Sequence, residues 1–450
     1  MLALKLRVLT LNCWDLPMPW PFGSADRKVR INAIAQELSA GSWDIVALEE
    51  IWSQEDYEII REAVSGVLPT AAYFHSGYIG SGLCLFTKGQ ISSTFIHPYT
   101  LNGYAHHVHR GDWYGGKAVA LARIMLQNEW SVNVYVTHLH ARYSEKRDKY
   151  CAHRLVQAYE LAQFVRETSA SDSDLTLVLG DTNLEPHETA TRLIMGIACL
   201  RDAYLDASAV GMADPREDGC TCGLASNTYT VTTSELKPKR FDYIFYKTAQ
   251  AVSAQVDLCG TTMNRIPAKP SISYSDHEGV YANMSLCKDA GVHAHDHPYK
   301  ITRVNPKLIE DCLVIVDKAI ARAKADRRLT GFMSLACLVV FVLTFLFHAM
   351  LPQLAVLAMI LRIILTIFLA FCFWNGVIIL KSEINALKGA RCGMALHLEP
   401  ISQHRSESSS SSGSFEVCDE TTALLVHNHQ DKMPTLSTNP ISVHIENSAA

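Results

Sequence analysis

Six polar residues of this chain stand at or just past the ends of apolar, strand-like runs: Asn12, Glu50, His138, Asp181, Asn183 and Asp242. A further group, Ser275-Asp276-His277, directly precedes the strand-like run 279–286. Acids, amides and imidazoles at repeated strand ends describe a polar cleft at the rim of a sheet, a setting suited to metal-assisted attack on a phosphate ester. In Val46-Ala47-Leu48-Glu49-Glu50 two carboxylates emerge from a buried strand. Strand alternation sends them to opposite faces, so one enters the cleft and the other stays outside. A lone carboxylate with amide and water ligands suits Mg²⁺, and Glu50 with Asn12 forms such a set. Taken alone, Glu50 also reads as a helix-entry acid near Ser53.

Leu179-Gly180-Asp181-Thr182-Asn183 offers a carboxylate to orient water and an amide to donate to a phosphoryl oxygen. Such residues at strand ends also serve as plain turn formers. In extended geometry His138 and His140 share a face and can flank one phosphate. Zinc is the weaker choice for them, because no Cys or carboxylate at zinc-motif spacing accompanies the pair. His277 is the natural base at neutral pH, since an unperturbed imidazole titrates near ~6.5. It needs a carboxylate on its other nitrogen to fix the tautomer. Asp276 points the other way along a strand, which makes Asp242 the expected orienter.

The elements that must carry these residues alternate along the first 290 or so positions. Strands are expected at 2–11, 44–48, 82–87, 118–126, 131–137, 175–179 and 243–246. Helices are expected at 27–40, from a Ser53 cap through Ala63, and at 143–168. This mixture favours an α/β layered sandwich. The alternation Leu2, Leu4, Leu6, Val8, interrupted by Lys5 and Arg7, is that of a core strand and not of a signal peptide, implying a cytosolic start.

Composition changes after Cys287. A linker-like stretch, 291–300, leads into a charged helix over 306–328, then two apolar runs, 329–350 and 354–380, separated by Leu351-Pro352-Gln353. Each run is long enough to cross a hydrocarbon core, which takes about 20 residues. Lys318, Arg322, Lys324, Arg327 and Arg328 precede the first, and Lys381, Lys388 and Arg391 follow the second. Positive flanks on both sides place the N-terminal domain and the tail in the cytosol. Arg362, inside the second run, either snorkels or pairs within the hairpin. The tail from about 400, with its serine run 408–412, reads as disordered. The expected division is therefore a catalytic domain at 1–288, a linker and juxtamembrane helix at 289–328, spans at 329–350 and 354–380, and a cytosolic tail at 381–450.

A net charge of −5 argues against a dedicated nucleic-acid binder. The small basic cluster Lys237, Lys239 and Arg240 remains suited to one phosphate or an anionic lipid head group. Thirteen cysteines, scattered through apolar runs, read as reduced thiols. Cys220-Thr221-Cys222 reads as a loop feature.

With these stretches in view, residues 5–286 resemble the magnesium-dependent neutral sphingomyelinases of the DNase I-like endonuclease/exonuclease/phosphatase superfamily. The resemblance rests on Leu11-Asn12-Cys13-Trp14, Leu48-Glu49-Glu50-Ile51-Trp52-Ser53, Gly80-Ser81-Gly82-Leu83-Cys84, Gly111-Asp112-Trp113, Gly116-Lys117-Ala118, Thr137-His138-Leu139-His140-Ala141, the Gly180 motif and Ser275-Asp276-His277-Glu278. The two C-terminal spans match the two-span animal type. The resemblance implies a four-layer sandwich, two mixed β-sheets flanked by helices, followed by a transmembrane hairpin. It implies Mg²⁺, with Mn²⁺ able to substitute, held by Glu50 with Asn12 beside it and Asp276 near a second metal position. It also implies His277 as base oriented by Asp242, Asp181 and Asn183 as water-positioning and phosphate-contacting pair, and His138 as transition-state stabiliser. Asp112 and Lys117 match a pair whose contact sets an active arrangement. Thr182 departs from the usual Leu or Phe, a change expected to affect packing and not chemistry.

The implied reaction is hydrolysis of sphingomyelin to ceramide and phosphocholine. A phospholipase C acting on lyso-phosphocholine lipids is the alternative, and a phosphatase or nuclease on the same fold a weaker one. The implied setting is an internal membrane, the endoplasmic reticulum before Golgi or plasma membrane, with anionic phospholipids as further partners. The loop Leu16-Pro17-Met18-Pro19-Trp20-Pro21-Phe22 reads as a membrane wedge beside the site. Trp113, Tyr114 and Tyr104 are candidates to face a choline ammonium.

Overall fold

A computed structural model describes residues 2–18, 23–127, 129–144, 146–169, 173–214, 216–231, 237–288, 304–350 and 352–398. The expected linker 291–300, the serine-rich tail and Pro19, Trp20, Pro21 and Phe22 of the wedge lie outside these residues.

The chain opens with β1 (Leu2–Asp15), α1 (Arg27–Ala40), β2 (Ile45–Ile51), α2 (Gln54–Val64), β3 (Thr70–Phe74), β4 (Leu83–Thr87) and β5 (Gln90–Pro98). Next come β6 (Ala118–Leu126), β7 (Trp130–His138), α3 (Cys151–Thr168), β8 (Leu175–Asp181), α4 (Thr189–Ala198), β9 (Arg201–Asp202) and α5 (Ala203–Ala209). The domain closes with β10 (Asp242–Thr248), β11 (Val252–Thr262), β12 (Arg265–Ile266), β13 (Lys269–Ser273) and β14 (Gly279–Lys288). The helix expected from 143 begins only at Cys151, and Ser53 caps α2 by accepting from the Asp56 N–H at 3.3 Å.

Two six-stranded mixed sheets, ordered β11-β14-β1-β2-β4-β3 and β5-β6-β7-β8-β10-β9, stack face to face. β1 shows why. Leu4, Leu6 and Val8 join Ala120, Val134 and Leu177 between the sheets, whereas Leu9, Leu11 and Cys13 face α1 and α2. A strand apolar on both faces belongs in the middle of a covered sheet. The outer face of the second sheet is covered by α3 and α4. The result is the expected four-layer, DNase I-like α/β sandwich.

The C-terminal region differs from the expected juxtamembrane helix followed by spans. α6 (Pro306–Met350) is one unbroken helix, followed by α7 (Ala355–Phe373), a π-helical turn at Trp374–Ile379 and α8 (Leu380–Leu396). The first third of α6 and most of α8 pack into the hydrophobic core beneath α3 and α4. Ile309, Cys312, Val316, Leu387 and Met394 are fully buried with Leu155, Tyr159 and Ile194. The remaining parts make two helices long and apolar enough to cross a membrane. Arg362 pairs within this hairpin, donating to Thr344 Oγ1 at 2.9 Å and to the Thr344 carbonyl at 2.8 Å. The described cysteines are all free thiols.

Candidate active site

Register brings the polar strand ends together. β7 runs parallel to β8 with His138 opposite Asp181, and β10 runs antiparallel to β8 with Asp242 opposite the same residue. In the other sheet β1 runs parallel to β2 with Asn12 opposite Glu49. Asn12 Nδ2 then joins the sheets, donating to Glu50 Oε1 at 3.1 Å and to Asp181 Oδ2 at 3.0 Å. Its oxygen accepts from the Trp14 N–H at 3.0 Å, so the amide as placed bridges two carboxylates.

Backbone conformation decides which side chains enter. Glu50, Asn183 and Trp14 adopt left-handed φ of 56°, 51° and 46°. Non-glycine residues held there cluster at functional sites. At Glu50 this turn undoes the strand alternation, so Glu49 and Glu50 both end on the cleft side. Glu49 therefore does not stay outside as expected: it is fully buried, accepting from Thr10 Oγ1 at 2.7 Å. Gly180 (φ 134°) lets β8 pass close to β7, since a Cβ there would meet the Thr137 carbonyl oxygen at 1.9 Å.

His277 and Asp242 form the expected pair, with Nδ1 to Oδ2 at 2.8 Å. The same oxygen accepts from Thr221 Oγ1 at 2.5 Å. Thr221 was not anticipated as a site residue; its loop hydrogen-bonds beside His277, through Cys222 opposite His277 and the Glu278 N–H to the Thr221 carbonyl at 2.8 Å. Burial works against a charged His277 ring, but Cys222 and Asp242 outweigh it and hold the imidazole pKa well above its ordinary value. Asp181 receives the Asn183 N–H at 2.8 Å and Asn183 Nδ2 at 3.2 Å. Burial, with Asp242 nearby, raises its pKa. Thr182 is accommodated without strain, its hydroxyl donating to the Phe241 carbonyl at 3.1 Å.

His138 and His140 do not flank one site. His138 lies over the cleft, its Nε2 3.5 Å from Asp181 Oδ2 and 3.0 Å from Lys117 Nζ. Burial and Lys117 drive its pKa well below the ordinary value, so the ring is neutral and Lys117 is the cation at this position. His140 instead stacks on Tyr150, with centroids 4.1 Å apart, and turns toward Asp112. Asp112 and Lys117 meet as expected, 3.3 Å apart and both buried. Burial opposes the Asp112 charge, but Lys117, His140 and the Tyr143 hydroxyl more than compensate and lower its pKa. Lys117 thus links this pair to His138.

Two other expected sites read differently. Arg240 is not free for a phosphate, since it is buried in a two-pronged pair with Asp202 at 3.1 and 2.8 Å. Tyr104 cannot offer an open face to choline, because it is buried and Arg322 lies 5.4 Å from its centroid. Trp113 is half-exposed and meets Trp374 of the hairpin edge-on at 6.2 Å.

The donor set fits a hard divalent cation. Glu50 is half-buried beside Asp276, and desolvation first, then the Asp276 charge, raises its pKa. Asp242 Oδ1 and Glu49 Oε2 are buried without a hydrogen-bond partner among the described residues. Oxygen donors crowded at this density need a positive charge among them. Ligand atoms of Asp181, Asp242 and His277 also lie within 4.8 Å of one another. A metal there would compete with the His277–Asp242 hydrogen bond, whereas the Glu50 carboxylate beside Asp276 is free of any such pairing with the base.

A family model described as "Endonuclease/Exonuclease/phosphatase family" matches residues 9–277. The chain is 38% identical over 400 residues to a "Putative neutral sphingomyelinase" of Caenorhabditis elegans, covering 86% of this chain and 90% of that one. It is 39% identical over 286 residues to "Sphingomyelin phosphodiesterase 2" of Mus musculus, where the match spans 63% of this chain and 65% of that protein. It is 32% identical over 346 residues to "Inositol phosphosphingolipids phospholipase C" of Schizosaccharomyces pombe, covering 73% of this chain and 78% of that one.

Proposed function

The chain belongs to the Endonuclease/Exonuclease/phosphatase family, and from that premise we propose that this phosphodiester hydrolase cleaves sphingomyelin to ceramide and phosphocholine at the cytosolic face of a membrane. The observation that carries the substrate is the likeness to a putative neutral sphingomyelinase over 86% of the chain, the helical C-terminal region included.

His277 takes a proton from the attacking water at Nε2, while Asp242 holds Nδ1–H and fixes that tautomer. Asp181 orients the water. Asn183 donates to a phosphoryl oxygen, and Lys117, seated against His138, supplies the fixed positive charge facing the developing negative one. The new bond joins the water oxygen to phosphorus, the phosphorus–ceramide oxygen bond breaks in line, and the ceramide oxygen gains a proton from solvent. Glu50 and Asp276, with Asn12 beside them, would hold Mg²⁺, and the ion would supply charge neutralisation for the phosphodiester and its leaving oxygen. Mn²⁺ offers the same oxygen-ligand chemistry. The two apolar helices form a two-span hairpin, and the cationic flanks put the domain and tail on the cytosolic side. The endoplasmic reticulum is the proposed membrane, and nucleic acid is not a proposed partner.

The test offers full-length protein in mixed micelles with Mg²⁺ a choice of sphingomyelin, a lyso-phosphocholine lipid, an inositol phosphosphingolipid and DNA. Phosphocholine release from sphingomyelin at the highest kcat/KM is expected. Preference for the lyso-lipid or the inositol lipid overturns the substrate and leaves the chemistry standing.

A further inference from the structure

Toward the rim of the cleft, the ladder between β1 and β14 stops at Thr10 opposite Val280. Past that point the two segments carry the site, with Asn12 on β1 and Asp276 and His277 just before β14. A side chain from a third element bridges them there. Arg30 of α1 is fully buried, and its hydrogen bonds among the described residues all go to backbone carbonyls. Nη1 donates to Cys13 at 2.7 Å and to Tyr274 at 3.2 Å. Nη2 donates to Trp14 at 2.7 Å, and Nε to Ala25 at 2.9 Å. A guanidinium is a rigid planar fork, so bonds in several directions fix the spacing of the segments that accept them.

Both arms of this clamp lead to the chemistry. On one side, Trp14 is held at a left-handed φ of 46°, with Arg30 Cζ 4.9 Å over its ring. Its N–H donates to Asn12 Oδ1 at 3.0 Å, and the Asn12 amide bridges Glu50 and Asp181. On the other side, Tyr274 opens the segment Ser275-Asp276-His277. Burial works against the Arg30 charge, and Tyr229 and Asp276 offset it only in part. A buried cation kept without a paired carboxylate is a poor device for stability alone.

We propose that Arg30 is a positioning residue of this active site: its guanidinium sets the separation between the end of β1, which orients Asn12, and the segment that carries His277. The inference rests on the proposed roles of Asn12 and His277 and not on which lipid is hydrolysed.

Arg30→Lys keeps the charge and loses the fork, since an ammonium is a compact point charge that cannot reach all four carbonyls at once. The full-length variant is assayed in mixed micelles with Mg²⁺ on the lipid that wild type cleaves fastest, beside His277→Ala as control. Amide hydrogen exchange is followed by mass spectrometry on the same preparations. A displacement of about 1 Å at a reacting group costs roughly 100-fold in rate, so kcat should fall by about that factor with KM within about threefold. Exchange should quicken at 12–16 and 274–278 and stay unchanged elsewhere in the two sheets. A kcat within about threefold of wild type, or a loss of kcat without faster exchange at those two segments, overturns the inference. So does exchange raised throughout the sandwich, the mark of general destabilisation. Full activity in His277→Ala overturns the assignment of the base, and the role of Arg30 with it.

Discussion

Replacing Asp242 by asparagine tests the core of the proposed mechanism, because it keeps the side chain's shape and changes one charge. His277 Nδ1 and Asp242 Oδ2 lie 2.8 Å apart and both groups are buried. A hydrogen bond to a charged partner contributes about 1.5–3 kcal/mol. The catalytic loss should exceed what that energy alone implies. Oδ2 accepts from both Thr221 Oγ1 and His277 Nδ1, so an asparagine that sets its NH₂ at that place makes Thr221 Oγ1 an acceptor and turns His277 Nδ1 into an acceptor as well. The ring proton moves to Nε2, the atom that must accept one from water, and kcat should fall about 10³–10⁴-fold with little change in KM.

The pH dependence adds a second readout. Cys222 and Asp242 hold the folded His277 pKa above its unfolded value. The stability this gives is complete below the unfolded pKa and disappears as pH rises through the folded one. Asp242→Asn should therefore destabilise most in mild acid and least in alkali. Because the base must be deprotonated, wild-type kcat should climb with pH beyond the ordinary imidazole range, and the residual activity of Asp242→Asn should rise at lower pH. Steady-state kinetics in micelles across neutral pH, with denaturant titrations at the same pH values, measure all three effects. A folded variant with kcat within tenfold of wild type and an unmoved pH profile would refute the assignment. A loss restored by raising Mg²⁺ would instead assign Asp242 to metal binding.

Lys117→Met leaves Asp112 buried without its main counter-charge and should cost about 3–5 kcal/mol in denaturant unfolding, partly regained by adding Asp112→Asn; a loss below about 1 kcal/mol would show that His140 and Tyr143 suffice. Glu50→Gln should abolish most of the Mg²⁺-induced rise in Tm while leaving the metal-free Tm unchanged or higher, because burial beside Asp276 already disfavours the Glu50 charge. An undiminished Mg²⁺ shift would place the metal elsewhere. Truncation after residue 288 should give an unstable, aggregating domain, since it uncovers a face occupied by Ile309, Cys312, Val316, Leu387 and Met394, each contributing about 1.5–3 kcal/mol. A soluble truncated domain with wild-type Tm, seen by calorimetry, would show that α6 and α8 only rest on it.

What the sequence determined by itself was local in origin. Strand alternation in 2–11 set which leucines face the second sheet, and Ser53 marked a helix start through its side-chain cap. The length and apolar character of 329–350 and 354–380 marked two spanning helices. Strand ends carrying Asn12, Glu50, His138, Asp181 and Asp242 already outlined the cleft, because polar groups closing apolar runs have few structural uses. His277 could be paired with Asp242 by a simple consequence of alternation, and the two side chains do meet.

Tertiary structure decided the rest, wherever two distant segments or a backbone turn set the outcome. The left-handed turn at Glu50 brings both carboxylates to one side, which a period of two cannot express. His140 leaves the cleft because β7 ends at His138, and the chain then turns toward Asp112 and Tyr150. Arg240 looked like a free cation until the fold set Asp202 beside it. Thr221 gave no signal, because its role exists only once its loop lies against β14. The helices after 304 are apolar on a face that reads like membrane but partly serves as core, since hydropathy records the preference for leaving water and not the partner that replaces it.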